Sequence, residues 1–260
     1  MSLTNKNISA TYKDIITIDN ANAGFDTNID QVKSGNGNGS SLYLSTNNLK
    51  VQPTADSTTN SVIYDKDGNI LFQVDSTNDA VKALGNHVNT QYAYFGSDNT
   101  SNATFSANNH YALPFMTAYN LSVIEVLTLG TSTNPDTSYT VSDNAMMIAN
   151  AACHVPDAIV IVAVSFWVGA DAASGDTVRC HLMSYDIVTT AGATGGELSN
   201  GVVVADGADI SSDGYEQAYY QSMTVQSSSI SAGKALFFTF RQDGTNSDYT
   251  VTATIKYHLT

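Results

Sequence analysis

The chain has 260 residues, enough to bury the core of one domain of about 150 residues and to carry an extension. Its 24 acidic residues outnumber its 10 lysines and arginines and give a net charge of −14. This charge argues against binding to nucleic acid or insertion at anionic membranes, because both favour a basic surface. The first residues lack the apolar stretch of a secretory signal, and two cysteines make no disulfide framework. We therefore expect synthesis and assembly in a reducing cytoplasm.

Residues 1–33 contain one apolar cluster that follows neither a helical stripe nor a strict alternation. The cluster is too short to bury its own apolar face. We therefore predict an N-terminal attachment arm that docks on the rest of an assembly or on a larger particle. The docking residues would be Tyr12, Ile15, Ile16 and Ile18. The alternative is an edge strand added to the C-terminal domain.

Residues 34–109 are predicted to form a joint and a strand-rich stem. The alternating Gly and Asn of residues 34–41 predict either a flexible joint or a set of tight turns. Short strands follow, and Asp67-Gly68 marks a hairpin between two of them. An isolated hairpin is marginal in water, so we predict that copies of the chain supply the missing partners. The apolar stem residues would meet where these copies associate: Leu42, Leu44, Ile63, Leu71 and Phe72.

Two further patterns occur in the stem. Asp65, Asp67 and Asn69 resemble part of a calcium loop, but the glycine falls at the fourth position and no glutamate follows at the twelfth, which favours a turn. Residues 76–88 have apolar residues at helical spacing and predict a short helix. Residues 86–109 are mostly polar and indicate a linker, which places the domain boundary near Asn109.

The stem resembles a known class of proteins. Residues 40–46 (Ser-Ser-Leu-Tyr-Leu-Ser-Thr) and residues 62–75 are similar to the stem repeats of trimeric tailed-phage appendage proteins, in which strands from three chains wrap a common axis. Residues 6–13 (Lys-Asn-Ile-Ser-Ala-Thr-Tyr-Lys) are similar to the attachment segments of marine-phage fibre and head-decoration proteins. The resemblance covers about the first 90 residues. It implies a homotrimer seated on a virion.

Residues 110–260 are predicted to form an all-β, antiparallel, jelly-roll-like sandwich. Turn signals separate the strand candidates, and the last candidate alternates apolar and polar residues. The nine candidates are 111–119, 121–129, 138–149, 158–168, 178–187, 201–205, 215–226, 234–241 and 247–258.

The stretch 157–168 is almost continuously apolar and holds the only tryptophan. It predicts a strand buried on both faces, or a central strand whose outer face is covered by a neighbouring chain. Phe166 and Trp167 must point to opposite faces, so we expect at most one of them in the sandwich interior. The other is expected at a subunit contact or under a loop.

Three groups of residues are candidates for metal binding, ligand binding or catalysis. Cys153-His154 and Cys180-His181 resemble halves of a zinc site, but adjacent strand residues point to opposite faces, which favours buried thiols. Tyr215, Tyr219 and Tyr220 either contact a saccharide or protein or pack on the sandwich. A set of acids in a Gly/Ser-rich loop contains a possible glycosidase pair, although solvated side chains are the simpler interpretation: Asp206, Asp209, Asp213 and Glu216.

No nucleophile motif or zinc-protease motif occurs, so we predict no catalytic residues, no cofactor and no metal. The predicted function is a structural protein of a tailed-phage virion, either a head-decoration or a head-fibre protein. Its partners would be its own copies and the major capsid protein or another virion protein. The alternative is a receptor-binding tail fibre whose C-terminal knob binds host glycan or protein. A more distant alternative is a carbohydrate-active enzyme or lectin domain unrelated to phage.

Overall fold

The computed structural model describes residues 16–21, 24–100, 106–115, 127–141, 145–170, 175–244 and 249–260. The chain divides into two compact units, Met1–Val88 (unit 1) and Asn89–Thr260 (unit 2). Strands make up 53% of the chain and helix 3%, so the all-β prediction with a C-terminal antiparallel sandwich is confirmed.

Unit 1 contains two four-stranded antiparallel sheets, in which each strand pairs with the next along the chain. The first sheet consists of β1 (Ile16–Ile18), β2 (Asp30–Ser34), β3 (Gly39–Leu44) and β4 (Leu49–Val51). The Gly/Asn run between β2 and β3 forms a tight turn, in which the Gly37 amide donates to the Ser34 carbonyl at 2.8 Å. Of the two interpretations of this run, the tight turn is the one that the structure adopts.

The second sheet consists of β5 (Ser61–Tyr64), β6 (Ile70–Asp75), β7 (Ala80–Ala83) and β8 (Asn86–His87). The predicted hairpin joins β5 and β6. The Asp65 carboxylate accepts hydrogen bonds from the Asn69 backbone amide at 2.8 Å and from the Asn69 side chain at 2.9 Å. These bonds lower the pKa of Asp65 and stabilise the turn.

The helix predicted over residues 76–88 is wrong, because β7 and β8 occupy this segment. The Asp75 carboxylate accepts from the Asn78 amide at 3.0 Å, and this turn returns the chain onto β6. A two-residue turn at Leu84-Gly85 then joins β7 to β8, and both residues have positive φ, as the common hairpin turns require. The helical spacing of the apolar residues was therefore coincidental.

Unit 2 contains two sheets and a short helix. The elements are β9 (Thr90–Thr100), β10 (Tyr111–Ala112), α1 (Ala145–Ala151), β11 (Cys153–His154), β12 (Ile159–Ala170), β13 (Thr177–Ile187), β14 (Leu198–Asp206), β15 (Ile210–Ser211), β16 (Gln217–Ser222), β17 (Thr224–Val225), β18 (Ser229–Ile230), β19 (Lys234–Gln242) and β20 (Tyr249–Leu259). In one sheet the order is β16-β12-β20-β9, with β18 also paired to β12. In the other the order is β10-β19-β13-β14-β17, with β11 paired to β19 and β15 to β13.

Strand β9 changes the predicted boundary of the sandwich. Its residues pair along β20 from Thr90 opposite His258 to Thr100 opposite Tyr249. The segment predicted as a linker therefore contains an edge strand of unit 2, and the sandwich begins near residue 90 rather than at 110. The strand was missed because only Ala93 and Phe95 of its first half face the interior, while its other side chains are largely polar or aromatic and exposed.

The two sheets of unit 2 enclose one apolar core. Alternate residues of β12, including Val164, Phe166 and Val168, are buried against Leu182 and Phe238 of the facing sheet. The prediction that β12 is buried on both faces is wrong for the outer face, because Val162 and Trp167 are exposed there. A bulge at Val162, where the pairing with β20 shifts between Ile161 and Ala163, brings two consecutive residues to the surface.

The strands that are buried on both faces are β13 and β19. Helix α1 and parts of residues 127–141 pack on the outer face of their sheet and form a second, smaller core with Tyr185 and Phe237. The Tyr185 hydroxyl donates to the Asp136 carbonyl at 2.7 Å and so ties this cover to β13. The strand predicted over 138–149 is wrong, because residues 138–141 contain only an isolated bridge between Tyr139 and Leu198 and α1 begins at residue 145. The candidate over 121–129 falls mainly outside the described residues.

Candidate functional site

Four exposed aromatic side chains lie on the outer face of the β16-β12-β20-β9 sheet. They are Trp167, Tyr220, Tyr92 and Tyr94, and we call them the aromatic face. Trp167 is 54% exposed and Tyr220 is 55% exposed. The two residues are directly opposite on neighbouring strands, with ring centroids 5.2 Å apart and planes inclined by 52°. Tilted rings at this separation attract each other beyond the area they bury.

Hydroxyl-bearing residues lie between the aromatic side chains. On β20, Thr252 is opposite Trp167, and Thr254 is opposite Ser165 on one side and Tyr94 on the other. Because adjacent strands are roughly 4.8 Å apart, Trp167 and Tyr94 border a threonine-lined strip about 10 Å wide. The Tyr220 hydroxyl lies 3.2 Å from Ser222 Oγ, and hydrogen bonds with Ser222 and Ser165 lower the pKa of Tyr220.

The aromatic face is poor in negative charge. Strands β12, β16 and β20 contain no aspartate or glutamate, and β9 contains one acid, Asp98. The whole chain, by contrast, carries 24 acidic residues. The face therefore offers aromatic and hydroxyl groups without the carboxylates that dominate the charge of the molecule.

The three tyrosines predicted as a contact group occupy different positions. Tyr219 packs against the core between the sheets, and its hydroxyl lies 3.2 Å from the Asp213 amide, from which it accepts. Tyr220 points outward beside Trp167, and Tyr215 is exposed in the preceding loop. Sequence reasoning missed Tyr92 and Tyr94, although their alternation with Ala93 and Phe95 is the pattern of a strand with an aromatic outer face.

The acids considered for glycoside hydrolysis make structural contacts. Arg179 donates to Asp206 through Nε at 3.1 Å and through Nη2 at 2.8 Å, and its Nη1 donates to Asp209 at 3.3 Å. These bonds raise the pKa of Arg179. The Asp213 carboxylate accepts from the Gln217 side chain at 3.1 Å, within its own loop. Glu216 is exposed and precedes β16.

A buried histidine pair lies beside this arginine. His110 and His181 are fully buried, with ring centroids 5.1 Å apart in an edge-to-face arrangement. His110 Nε2 lies 2.9 Å from the Ser132 carbonyl. His181 Nε2 is 3.2 Å from Asp206 Oδ1, but neither nitrogen of His181 has an aligned hydrogen bond. Burial lowers the pKa of His181 to about 4, against the opposing effect of Asp206.

The two Cys-His dipeptides do not converge. Cys180 is in the core between the sheets, whereas His181 is on the opposite face of β13. Cys153 packs at the edge of that core, and burial raises its pKa to about 11, while His154 is exposed. Both cysteines are free thiols. Among the residues that the structure describes, no three His, Cys, Asp or Glu side chains are grouped to hold a metal ion.

No protein-family profile matches this chain, and no curated protein matches it in sequence. The described residues include no helix that is long and apolar enough to cross a membrane.

The predicted stem residues occupy both sheets of unit 1. Leu42 and Leu44 are half-buried in β3, and Ile63, Leu71 and Phe72 are exposed in β5 and β6. Ile63 and Phe72 are directly opposite each other and therefore share one face of their sheet, whereas Leu71 lies at a bulge, where the pairing of β5 with β6 shifts.

Of the predicted docking residues, Ile16 and Ile18 are in β1. Ile16 is 75% exposed, and Ile18 is half-buried opposite Val32. Tyr12 and Ile15 lie outside the described residues.

Proposed function

We propose that the chain is a structural protein of a tailed-phage virion that assembles as a homotrimer and decorates the particle as a head-decoration or head-fibre protein. The observation that carries this proposal is the lack of a core in unit 1. Within its described residues, the only buried apolar side chains are Val32 and Ala80. Eleven large apolar side chains of the same unit are exposed: Ile16, Phe25, Ile29, Leu49, Val51, Ile63, Tyr64, Leu71, Phe72, Leu84 and Val88.

The free energies favour association. Burying one side chain of the size of valine contributes about 1.5–3 kcal/mol, whereas fixing the backbone of each residue costs about 1–2 kcal/mol. Two buried apolar side chains do not offset the cost of ordering two four-stranded sheets. Unit 1 therefore needs further burial, and contacts between copies of the exposed apolar residues would supply it.

Leu84 supports the same conclusion. It has a φ of 49° in the turn between β7 and β8 and is 72% exposed. The left-handed conformation costs a non-glycine residue about 1–2 kcal/mol, and asparagine tolerates it better. An exposed leucine at this position is unfavourable in an isolated chain, but it is explained if another copy covers the side chain.

The phage assignment draws on the resemblance of residues 40–46 and 62–75 to trimeric appendage stems. Those segments include β3 and the β5–β6 hairpin. We assign attachment to the particle to the N-terminal arm. The described part of this arm begins at Ile16 of β1, which is exposed. The major capsid protein, or another virion protein, would be the partner of this arm.

Sedimentation equilibrium of the full-length chain tests the proposal. We expect a mass about three times the 27.5 kDa of one chain. Leu84→Asn should weaken the trimer although it suits the turn, and Ile63→Lys should weaken it further. Thr54→Lys adds the same charge at an exposed polar position of unit 1 and should leave the mass unchanged. A folded monomer at micromolar concentration would refute the trimer.

A receptor-binding tail fibre is the second candidate function, and the exposed aromatic residues of unit 2 favour it. Tyr215 projects from a loop, and Trp167 and Tyr220 offer ring faces beside hydroxyl groups. Such a combination suits contact with a host glycan or protein. In that case unit 2 would bind the ligand while unit 1 still assembled the fibre.

A further inference from the structure

We infer that the aromatic face is the surface through which unit 2 of one copy contacts unit 2 of the others, an inference that rests on the proposed homotrimer. The two outer faces of the sandwich differ. The outer face of β13 and β19 is covered by α1 and parts of residues 127–141 of the same chain. The outer face of β12 and β20 leaves the aromatic face exposed.

The distribution of charge favours a second copy of the chain as the partner that binds the aromatic face. Each copy carries a net charge of −14, so two copies that meet through acidic surfaces bring like charges together at a cost. Strands β12, β16 and β20 contain no acidic residue, and β9 contains one, Asp98. The outward side chains of β12, β16 and β20 are aromatic, hydroxyl-bearing, aliphatic or small, apart from Lys256 and His258. This sheet is therefore a part of unit 2 on which strongly acidic copies can approach one another closely.

The composition and the area of the aromatic face also favour a contact between copies. Interface centres are enriched in tryptophan and tyrosine and depleted in charged residues, and the aromatic face has both properties. The four strands have 40 residues in all, which at roughly 4.8 Å spacing and roughly 3.3 Å rise cover roughly 630 Å². A standard interface buries about 800 Å² on each partner, so this one face supplies most of such an area.

Trp167 makes the inference measurable, because it is the only tryptophan of the chain. Its fluorescence reports on the aromatic face alone. In the assembled full-length protein we expect blue-shifted emission and weak quenching by acrylamide, although 54% of this side chain is exposed in a single copy. Quenching should increase on dilution in step with dissociation of the trimer.

Thr252→Glu tests the face directly. Thr252 is exposed and opposite Trp167, so the variant places a carboxylate at the centre of the proposed contact. We expect the quenching constant of Trp167 to rise several-fold and the emission to shift to the red. Thr224→Glu adds the same charge at an exposed position of the edge strand β17 and should leave both unchanged. Circular dichroism melting curves confirm that each variant folds.

The possible outcomes separate the two proposals. A wild-type trimer with a freely quenched Trp167 would overturn the contact and leave the trimer standing; the face would then be open to a glycan or protein ligand. A protected Trp167 that does not respond to Thr252→Glu or to dilution would also overturn the contact. A monomer would overturn both the contact and the proposed function.

Discussion

Phe166 and Trp167 are adjacent in sequence but differ in the free energy they contribute within one chain. Phe166 is buried and packs with its ring centroid 6.1 Å from that of Phe238, whereas Trp167 is exposed and contacts Tyr220. Phe166→Ala should lower the free energy of unfolding by about 3–5 kcal/mol, because it leaves a cavity between the sheets.

Urea denaturation measures this loss. Tyr215→Ala is the matched control, since it also removes an aromatic ring but at an exposed loop position, and it should change the stability by less than about 0.5 kcal/mol. A loss below about 1 kcal/mol for Phe166→Ala would mean that β12 is not central to the sandwich.

The buried pair His110 and His181 predicts a pH-dependent stability. Burial lowers the pKa of His181 from 6.5 to about 4 and also lowers the pKa of His110. The unfolded chain therefore takes up protons at a higher pH than the folded chain. Stability is fully present above about pH 6.5 and declines as the pH falls towards 4. For His181 the loss is about 3 kcal/mol at most.

His181→Leu should flatten this decline. Neither nitrogen of His181 has an aligned hydrogen bond, so the change removes a titrating group and no such bond. Melting temperatures of the wild type and the variant should diverge less at pH 7 than at pH 4.5. His154→Leu, at an exposed position, should keep the wild-type profile. Parallel curves for His181→Leu and the wild type would contradict this account.

At the scale of elements, Gly201 allows β14 to pack closely against residues 127–141. Its amide donates to the Thr137 carbonyl at 2.8 Å. A Cβ at this position would lie 2.5 Å from Cε1 of Tyr185 and 2.7 Å from Cα of Thr137, both within packed structure. Gly201→Ala should therefore destabilise unit 2 by about 1–3 kcal/mol.

Gly169→Ala in β12 provides the control for this prediction. The nearest atoms to a Cβ there are 3.9 Å away, on Thr250, so the substitution meets ordinary contact. We expect no loss of stability, or a small gain, since alanine has less conformational entropy to lose than glycine. Equal effects of the two substitutions on thermal melting would show that the close approach at Gly201 is unimportant.

The strands with strong apolar patterns were predictable from sequence. The candidates over 158–168, 178–187 and 234–241 correspond to β12, β13 and β19 within two residues at each end. The hairpin at Asp67-Gly68 was also predictable, because its turn chemistry is local. In these cases the information lies within a few residues of the element itself.

Other features depend on contacts distant in sequence. Strand β9 pairs with β20, about 150–170 residues away, and its own residues are too polar to reveal it. Helix α1 has no acidic residue in its first turn, and its apolar residues were interpreted as part of a strand. The aromatic face joins Tyr92 and Tyr94 to Trp167 only through the strand order β16-β12-β20-β9, which periodicity does not specify.

At the scale of the whole molecule, the two units bury their apolar side chains to different extents. Unit 2 encloses a core between its sheets and a second core under α1. Unit 1 leaves most of its large apolar side chains exposed. In the proposed homotrimer, the net charge of −14 on each copy would favour solubility while apolar and uncharged surfaces associate. This division of roles suits an appendage in which one part assembles and the other forms a stable knob.

Quantitative mass spectrometry of purified phage particles from the host that produces this chain tests the central claim most directly. The chain should be a stoichiometric component of the particle, with a copy number that is a multiple of three, and its N-terminal arm should cross-link to the major capsid protein or another virion protein. Particles that mature to full infectivity without the chain in their protein inventory would contradict the proposed structural role.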